Sequence, residues 1–345
     1  MRPDFHPLRI AALDELTEDA VAVTFEVPDD LRDVFAHQAG QHVAIRVPGE
    51  RERRSYSICT PPGGALRIGV RRLPGGAFSD RVLPGLRPGD ELEVLTPTGR
   101  FGAGLAGLRR PAFVAAGSGI TPILAMVAAA LADPAVELVS LVDCNRSQRE
   151  VMFLDEIADL KNRWPDRLQV VHVLTREAQE SPLLSSRLDP ERLGVLRSTV
   201  LGECDGWFLC GPFDLVTTLA AALVADGVPS TAVHTELFHA EAAPTVTTAG
   251  AASPAAAVVV RLGGLESRFT LEPGEAVLDG LLRVRADAPY ACQGGVCGTC
   301  RARLFDGEVT MAATWALEPD ELARGDVLTC QARPTSGQLA LDFDV

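Results

Sequence analysis

Hydrophobic and polar positions alternate with a period of two through most of the first hundred residues. The runs are AVAVTFEV from Ala20, HVAIRV from His42, LRIGVRR from Leu66 and ELEVLTP from Glu91. Turns rich in Gly and Pro (VPGE, TPPGG, LPGG, RPGD) separate them. This pattern predicts short antiparallel strands, and residues 1–107 are expected to close into a small antiparallel β-barrel. From Pro111 the period changes. Apolar runs alternate with helical stretches: PAFVAAG with ITPILAMVAAALA, VELVSLVD with VMFLDEIADLKNRW, then LQVVHVLT, DGWFLCGP with FDLVTTLAAALVADG, and AVHTELF. Such alternation predicts an α/β domain with a parallel sheet over residues 108–238. Residues 239–256, HAEAAPTVTTAGAASPAA, have almost no large apolar side chain. They cannot build a core and are expected to be a linker. Residues 257–345 form a last domain, opening with two strand-like runs (AVVVRL, SRFTLE) and a short helix (EAVLDGLLR).

Composition narrows the function. The chain is 47% hydrophobic and 23% charged, as in a globular protein, and its net charge of −14 disfavours a nucleic-acid partner. The uncharged stretch Pro111–Ala132 mimics a membrane span. Gly117, Ser118, Gly119, Thr121 and Pro122 interrupt it, which reads as strand, tight turn and buried helix, so no membrane role is expected. The opening MRPDFHPLRI lacks the apolar run of a signal peptide. A cytoplasmic location is therefore expected, where thiols serve metals or redox chemistry more often than disulfides.

The densest chemical signal is CQGGVCGTC. Cys292, Cys297 and Cys300 follow the spacing C-x4-C-x2-C, and Cys330 follows after 29 intervening residues, in DVLTCQ. That is the thiolate pattern of a plant-type [2Fe–2S] cluster, whose two irons need four thiolates. Gly294, Gly295 and Gly298 are expected to supply the unusual backbone angles of such a loop. A zinc ribbon would want a second C-x2-C pair, and there is none.

A one-electron carrier needs a supply. RRSYSICT offers Arg54 for flavin phosphates, Tyr56 to pack on the ring or ribityl chain, and Ser57 near the flavin N5. In VRRLPGGAFS, which begins at Val70, Gly76-x-x-Ser79 is a candidate pyrophosphate cradle, with Val70 and Arg71 beside it. VAAGSGITP follows a strand and opens a helix, which suits a dinucleotide: Gly117, Ser118 and Gly119 allow close approach, and Thr121 and Pro122 begin the helix. Asn145-Arg146 and Arg176 follow the next two strands, where an open α/β sheet binds ligands. Arginines there suit a 2′-phosphate and favour NADPH over NADH, although Asp143 could instead hold a free 2′-hydroxyl. Cys210-Gly211-Pro212 ends the fourth strand, where a small thiol could lie against the nicotinamide.

The ordered set of Arg54-Ser-Tyr56-Ser57, Gly117-Ser-Gly119-Ile-Thr-Pro122, Cys210-Gly211-Pro212 and the four cysteines resembles the ferredoxin–NADP⁺ reductase superfamily fused to a plant-type ferredoxin. The resemblance implies an FAD barrel, an NAD(P) domain and a β-grasp [2Fe–2S] domain. VHTELF resembles the end of such NAD(P) domains and implies that Glu236 and Phe238 lie at the flavin–nicotinamide junction, Glu236 with Ser57 and Cys210 as catalytic groups. PYACQGGVCGTCRARLFDGEV, WALEPDE and DVLTCQ resemble the reductase family of phenylacetyl-CoA ring-epoxidases. This implies electron delivery from NADPH, or alternatively NADH, through FAD and the cluster to the di-iron oxygenase component of a multicomponent monooxygenase. A reductase of another aromatic or alkyl oxygenase is the nearest alternative. A non-catalytic iron–sulfur scaffold is a different class, and the intact flavin motifs argue against it.

Overall fold

The computed structural model describes residues 5–50, 52–76, 78–238, 253–290, 292–317 and 319–345. Most of the expected linker lies outside the described residues. The chain divides into two compact units, His6–His239 and a second containing Ala240–Val345.

The first unit opens with six antiparallel strands: β1 (Phe5–Thr17), β2 (Ala20–Glu26), β3 (His42–Arg46), β4 (Arg54–Ser57), β5 (Arg67–Arg71) and β6 (Glu91–Leu95). Their order is β4-β3-β6-β1-β2-β5, and an Ile58–Ile68 bridge joins the two edges into the expected barrel. Phe25, Val43, Ile45, Ile68, Val70 and Val94 fill its interior. β1 is the longest strand, yet the period-two pattern does not mark it. Irregularities at Ile10/Ala12 and Glu15/Thr17 shift its register against β2, and each shift breaks the alternation that pattern reading relies on.

The α/β part holds β7 (Pro111–Ala116), α1 (Ile120–Ala132), β8 (Val139–Asn145), α2 (Leu154–Arg163), β9 (Leu168–Leu174), α3 (Pro190–Leu196), β10 (Gly206–Pro212), α4 (Phe213–Ala225) and β11 (Val233–Phe238). The five strands are parallel, in the order β11-β10-β7-β8-β9. The order reverses between β7 and β10, and ligands bind at such a switch point. The uncharged Pro111–Ala132 stretch is β7 plus α1, with α1 buried against the sheet. Among the described residues no helix is long and apolar enough to cross a membrane.

The second unit holds β12 (Ala256–Leu262), β13 (Leu265–Leu271), α5 (Val277–Val284), β14 (Arg301–Asp306), β15 (Val309–Met311), α6 (Pro319–Ala323), β16 (Asp326–Leu328), β17 (Ala332–Pro334) and β18 (Gln338–Asp342). The mixed sheet runs β13-β12-β18-β14-β16, with β12 and β18 parallel. α5 buries Val277, Leu278 and Leu281 in a core shared with Val258, Val260, Cys300 and Leu328. A helix packed on a small mixed sheet is the expected β-grasp arrangement.

Candidate active site: a flavin–nucleotide seam and a four-thiol loop

Strand β5 joins the barrel to the α/β part. Its even positions, Ile68 and Val70, fill the barrel core. The odd positions, Arg67, Gly69 and Arg71, meet the α/β part, as period two requires. Arg67 donates to Glu156 of α2 at 3.0 Å, and its guanidinium lies over the Phe153 ring, 5.4 Å from the centroid. A Cβ on Gly69 would fall 2.7 Å from the Thr121 methyl and 2.8 Å from Phe153 Cζ. Arg71 donates to the Glu150 carbonyl at 2.5 Å. Phe153 is fully buried in the left-handed region (φ 60°, ψ 30°), which β-carbon-bearing residues seldom adopt. The conformation aims its ring at Gly69. Gly69 carried a signal, being a glycine inside a strand; Phe153 carried none.

At the switch point two glycines permit close backbone approach. A Cβ on Gly119 would collide with the Cys210 carbonyl oxygen, and one on Gly211 would lie 2.8 Å from the Ala116 Cβ. Gly117 is different. Its φ is +56°, and a Cβ there would meet only Arg71 Nη1, at 3.0 Å. Gly117 borders a cavity of about 350 Å³, with Arg71, Ser118, Asn145, Arg146, Pro212 and Phe238 also on its wall. Arg187 lines it too and lacked any sequence signal. Arg176 is not on this wall; its backbone N–H donates to the Arg146 carbonyl at 2.7 Å. Arg146 itself pairs with Glu150 at 2.7 Å. The cationic wall and the room above Gly117 fit a dinucleotide pyrophosphate.

Beside this cavity three expected groups meet. Ser57 Oγ donates to Glu236 Oε2 at 3.4 Å, and Cys210 Sγ–H donates to the same oxygen at 3.9 Å. Cys210 and Glu236 are register partners on β10 and β11. Burial, with the Glu236 charge next to it, holds the Cys210 thiol well above its ordinary pKa, so it stays neutral. Tyr56 packs on Phe78 with ring centroids 5.6 Å apart, and burial pushes its phenol up while Arg54 pulls it down. Arg54 is exposed and pairs with Glu52 at 2.5 Å. This set, an exposed cation beside an aromatic pair and a hydroxyl at the sheet edge, fits the phosphate, ring and N5 of a flavin.

Other expected residues are engaged differently. Val70 points into the barrel core, so only its backbone can face a cofactor. The Gly76 N–H donates to the Leu73 carbonyl at 2.8 Å, and Ser79 Oγ accepts from the Leu73 N–H at 3.2 Å. Asp80 accepts the Gly75 N–H at 2.9 Å, so that turn is stabilised from within. The Thr121 hydroxyl donates to the Ser118 carbonyl at 3.0 Å, which leaves its methyl facing Gly69. Pro122 is buried in the first turn of α1. Asp143 is fully buried; it accepts the Asn145 amide at 2.9 Å and lies 3.3 Å from His172 Nδ1. Asp143 thus lies beneath Asn145 and is not a wall of the cavity.

The four cysteines form a loop of a different kind. Their thiols fall into two proton-sharing pairs, Cys292 with Cys297 and Cys300 with Cys330. The shared proton drops Cys292 to about 7 and lowers Cys330, while Cys297 and Cys300 are pushed up. The Gly294 N–H donates to Cys292 Sγ at 3.4 Å, and Cys297 Sγ lies 3.2 Å from Thr299 Oγ1. Positive φ falls at Gly295 (+78°) and Gly298 (+66°), as expected, and at Gln293 (+53°) where Gly294 was expected. Among the described residues no three Cys, His, Asp or Glu groups close on one point as a lone metal ion needs. Two thiol pairs ringed by N–H donors fit instead a core that divides its ligands two per iron.

A barrel with flavin-type groups, a parallel sheet with a cationic cradle and a four-thiol loop define an electron-transfer flavoprotein with an iron–sulfur outlet. Residues 7–102 match the oxidoreductase FAD-binding domain, 113–220 the oxidoreductase NAD-binding domain, and 260–335 the 2Fe-2S iron-sulfur cluster binding domain. A component of the 1,2-phenylacetyl-CoA epoxidase of Escherichia coli (strain K12) is 37% identical, covering 99% of this chain and 98% of that protein. The ferredoxin reductase component of 3-ketosteroid-9-alpha-monooxygenase from Rhodococcus rhodochrous is 33% identical, covering 97% and 96%. Phthalate dioxygenase reductase shares the fold, with a TM-score of 0.61, 23% identity and 98% of each chain covered. The chain belongs to the family of FAD- and [2Fe–2S]-containing reductases that serve as components of oxygenase systems.

Proposed function

We propose that this reductase takes electrons from NADPH and delivers them to the di-iron component of a phenylacetyl-CoA epoxidase. The partner rests on full-length similarity to a component of that enzyme. NADPH is supported by Arg146 and Arg187 on the cavity wall, Arg176 next to it, and the burial of Asp143 off that wall. The domain limits 1–107, 108–238 and 257–345, with the intervening linker, belong to the same proposal.

Bound FAD would accept hydride from the reduced nicotinamide and release electrons singly to the cluster. The residues do the rest by placement. Gly117 and Ser118 admit the pyrophosphate, Gly119 lets their loop close on β10, and Arg71 reaches the cavity from the barrel side. Arg54 neutralises flavin phosphates, and Tyr56 packs on the flavin. Glu236 holds the Ser57 hydroxyl in place, which would set its oxygen beside the flavin N5, while the neutral Cys210 thiol, with Gly211, Pro212 and Phe238, would give the nicotinamide a small, uncharged floor. Cys292, Cys297, Cys300 and Cys330 hold the cluster. The convergence of Ser57, Cys210 and Glu236 beside the Gly117 cavity carries this reading.

Similarity to the ketosteroid-monooxygenase component supports a second reading, a reductase of another oxygenase, for which NADH is the alternative donor. Parallel anaerobic titrations with NADPH and NADH, followed by absorption and EPR, separate the two. NADPH should bleach the flavin and raise a [2Fe–2S] signal at the lower concentration. Equal or better reduction by NADH would overturn the assignment, and failure to support phenylacetyl-CoA epoxidation with the oxygenase would overturn the partner.

A further inference from the structure

Gln331 follows the fourth cysteine, and nothing in the thiol spacing calls for a glutamine there. Its backbone is fixed from two sides: its N–H donates to the Leu328 carbonyl at 2.8 Å, and its carbonyl accepts from Ala312 at 3.3 Å. The side chain folds back over the cysteine loop, with Cγ 3.1 Å from where a Cβ on Gly295 would sit. Nε2 donates to the Gln293 carbonyl at 2.7 Å and lies 3.4 Å from Cys330 Sγ and 3.3 Å from the Cys330 carbonyl. All three neighbours are acceptors, so the amide must turn its NH2 towards them. One hydrogen takes the short bond to Gln293; the other is left for Cys330. Gln293 is the only non-glycine of the loop with positive φ among the described residues. Its carbonyl is tied down by this same side chain.

We infer that Gln331 is a positioning residue of the iron–sulfur centre, pinning the left-handed Gln293 turn and presenting an N–H to the Cys330 sulfur so as to raise the cluster's reduction potential. Reduction adds one electron and breaks no bond, so the added negative charge spreads over the sulfurs. A donor aimed at a ligand sulfur stabilises the reduced form more than the oxidised one. The inference rests on the four cysteines holding a [2Fe–2S] cluster, which the wild-type spectrum checks independently in the experiment below.

The test is an EPR-monitored dithionite titration of the full-length holoprotein with three chains: wild type, Gln331→Met and Gln331→Glu. Met keeps the length without the donor; Glu keeps the shape and adds a negative charge. The Met variant should be three- to tenfold harder to reduce, about 28–59 mV lower at 59 mV per tenfold. Glu should fall further, and both should lose cluster to a chelator faster than wild type. The order wild type, Met, Glu is what a purely structural side chain would not produce. Unchanged midpoints in both variants, with the wild-type [2Fe–2S] signal present, would overturn the inference. Absence of that signal from wild type would instead overturn the cluster assignment.

Discussion

The seam around β5 and the cysteine loop solve opposite problems. At the seam two folded halves must come close enough for their bound cofactors to react, and the chain achieves this by omitting side chains. Gly69 receives Thr121 and Phe153, Gly119 receives the Cys210 carbonyl, and Gly104 receives the His234 ring. At the loop, where we place a small inorganic core, the chain instead adds groups: four sulfurs, backbone donors and the Gln331 amide. A seam is therefore damaged by gaining an atom, a loop by losing one.

That contrast can be broken or sharpened experimentally. The largest effect belongs to the loop. Cys300→Ser, at the most buried of the four cysteines, should abolish the cluster's absorption and EPR signal while the flavin spectrum remains. A retained cluster would show that the four cysteines do not act as one set. Next is Gly119→Ala, whose new atom meets the Cys210–Gly211 backbone and cannot be relieved by a rotamer. Overpacking of that kind costs about 3 kcal/mol, and nucleotide binding should be lost with it. Normal affinity in a calorimetric titration would contradict the seam picture.

Gly69→Ala is milder, because the atoms it meets belong to side chains and not to backbone. It should retain flavin yet slow flavin reduction roughly tenfold in stopped flow, through misplacement of the nucleotide cradle. Adding Phe153→Leu should restore much of the rate. Failure of the double variant to recover would place the fault elsewhere. The smallest effect concerns pH. His234 stacks on Phe208 with centroids 4.8 Å apart, and burial lowers its pKa from the ordinary 6.5. A lowered histidine pKa contributes stability that is present above pH 6.5 and is lost as pH falls through the folded value. Thermal release of flavin should therefore come earlier below pH 6.5, and His234→Phe should flatten that dependence.

The same contrast explains what the sequence could reveal. Added groups leave letters to read, so Cys292, Cys297, Cys300 and Cys330 were legible from spacing alone. The parallel strands were legible because buried apolar runs are long and unbroken. Omitted side chains leave only glycines, and a glycine in a turn reads like one in a seam. Gly117 and Gly119 were read together as a phosphate cradle, yet only Gly117 opens on the cavity, while Gly119 packs against β10. Gly76 and Ser79 read as a second cradle, and in their turn the Gly76 N–H is taken by the Leu73 carbonyl while Ser79 Oγ accepts from the Leu73 N–H. Phe153 was illegible because its role depends on a left-handed backbone that no local pattern announces. β1 was missed where its irregular register erased the alternation.

The alternation of β5 has a consequence for anyone building chimaeras. Ile68 and Val70 belong to the barrel, while Arg67, Gly69 and Arg71 belong to its neighbour, so one five-residue strand answers to two owners. A nucleotide-binding half borrowed from another reductase would arrive with its own bumps where Phe153, Thr121 and Glu150 now stand. It would dock only if the three odd positions of β5 travelled with it, grafted into a barrel whose even positions stayed behind. The natural place to cut between these two modules is therefore not a point in the chain but every second residue along one strand.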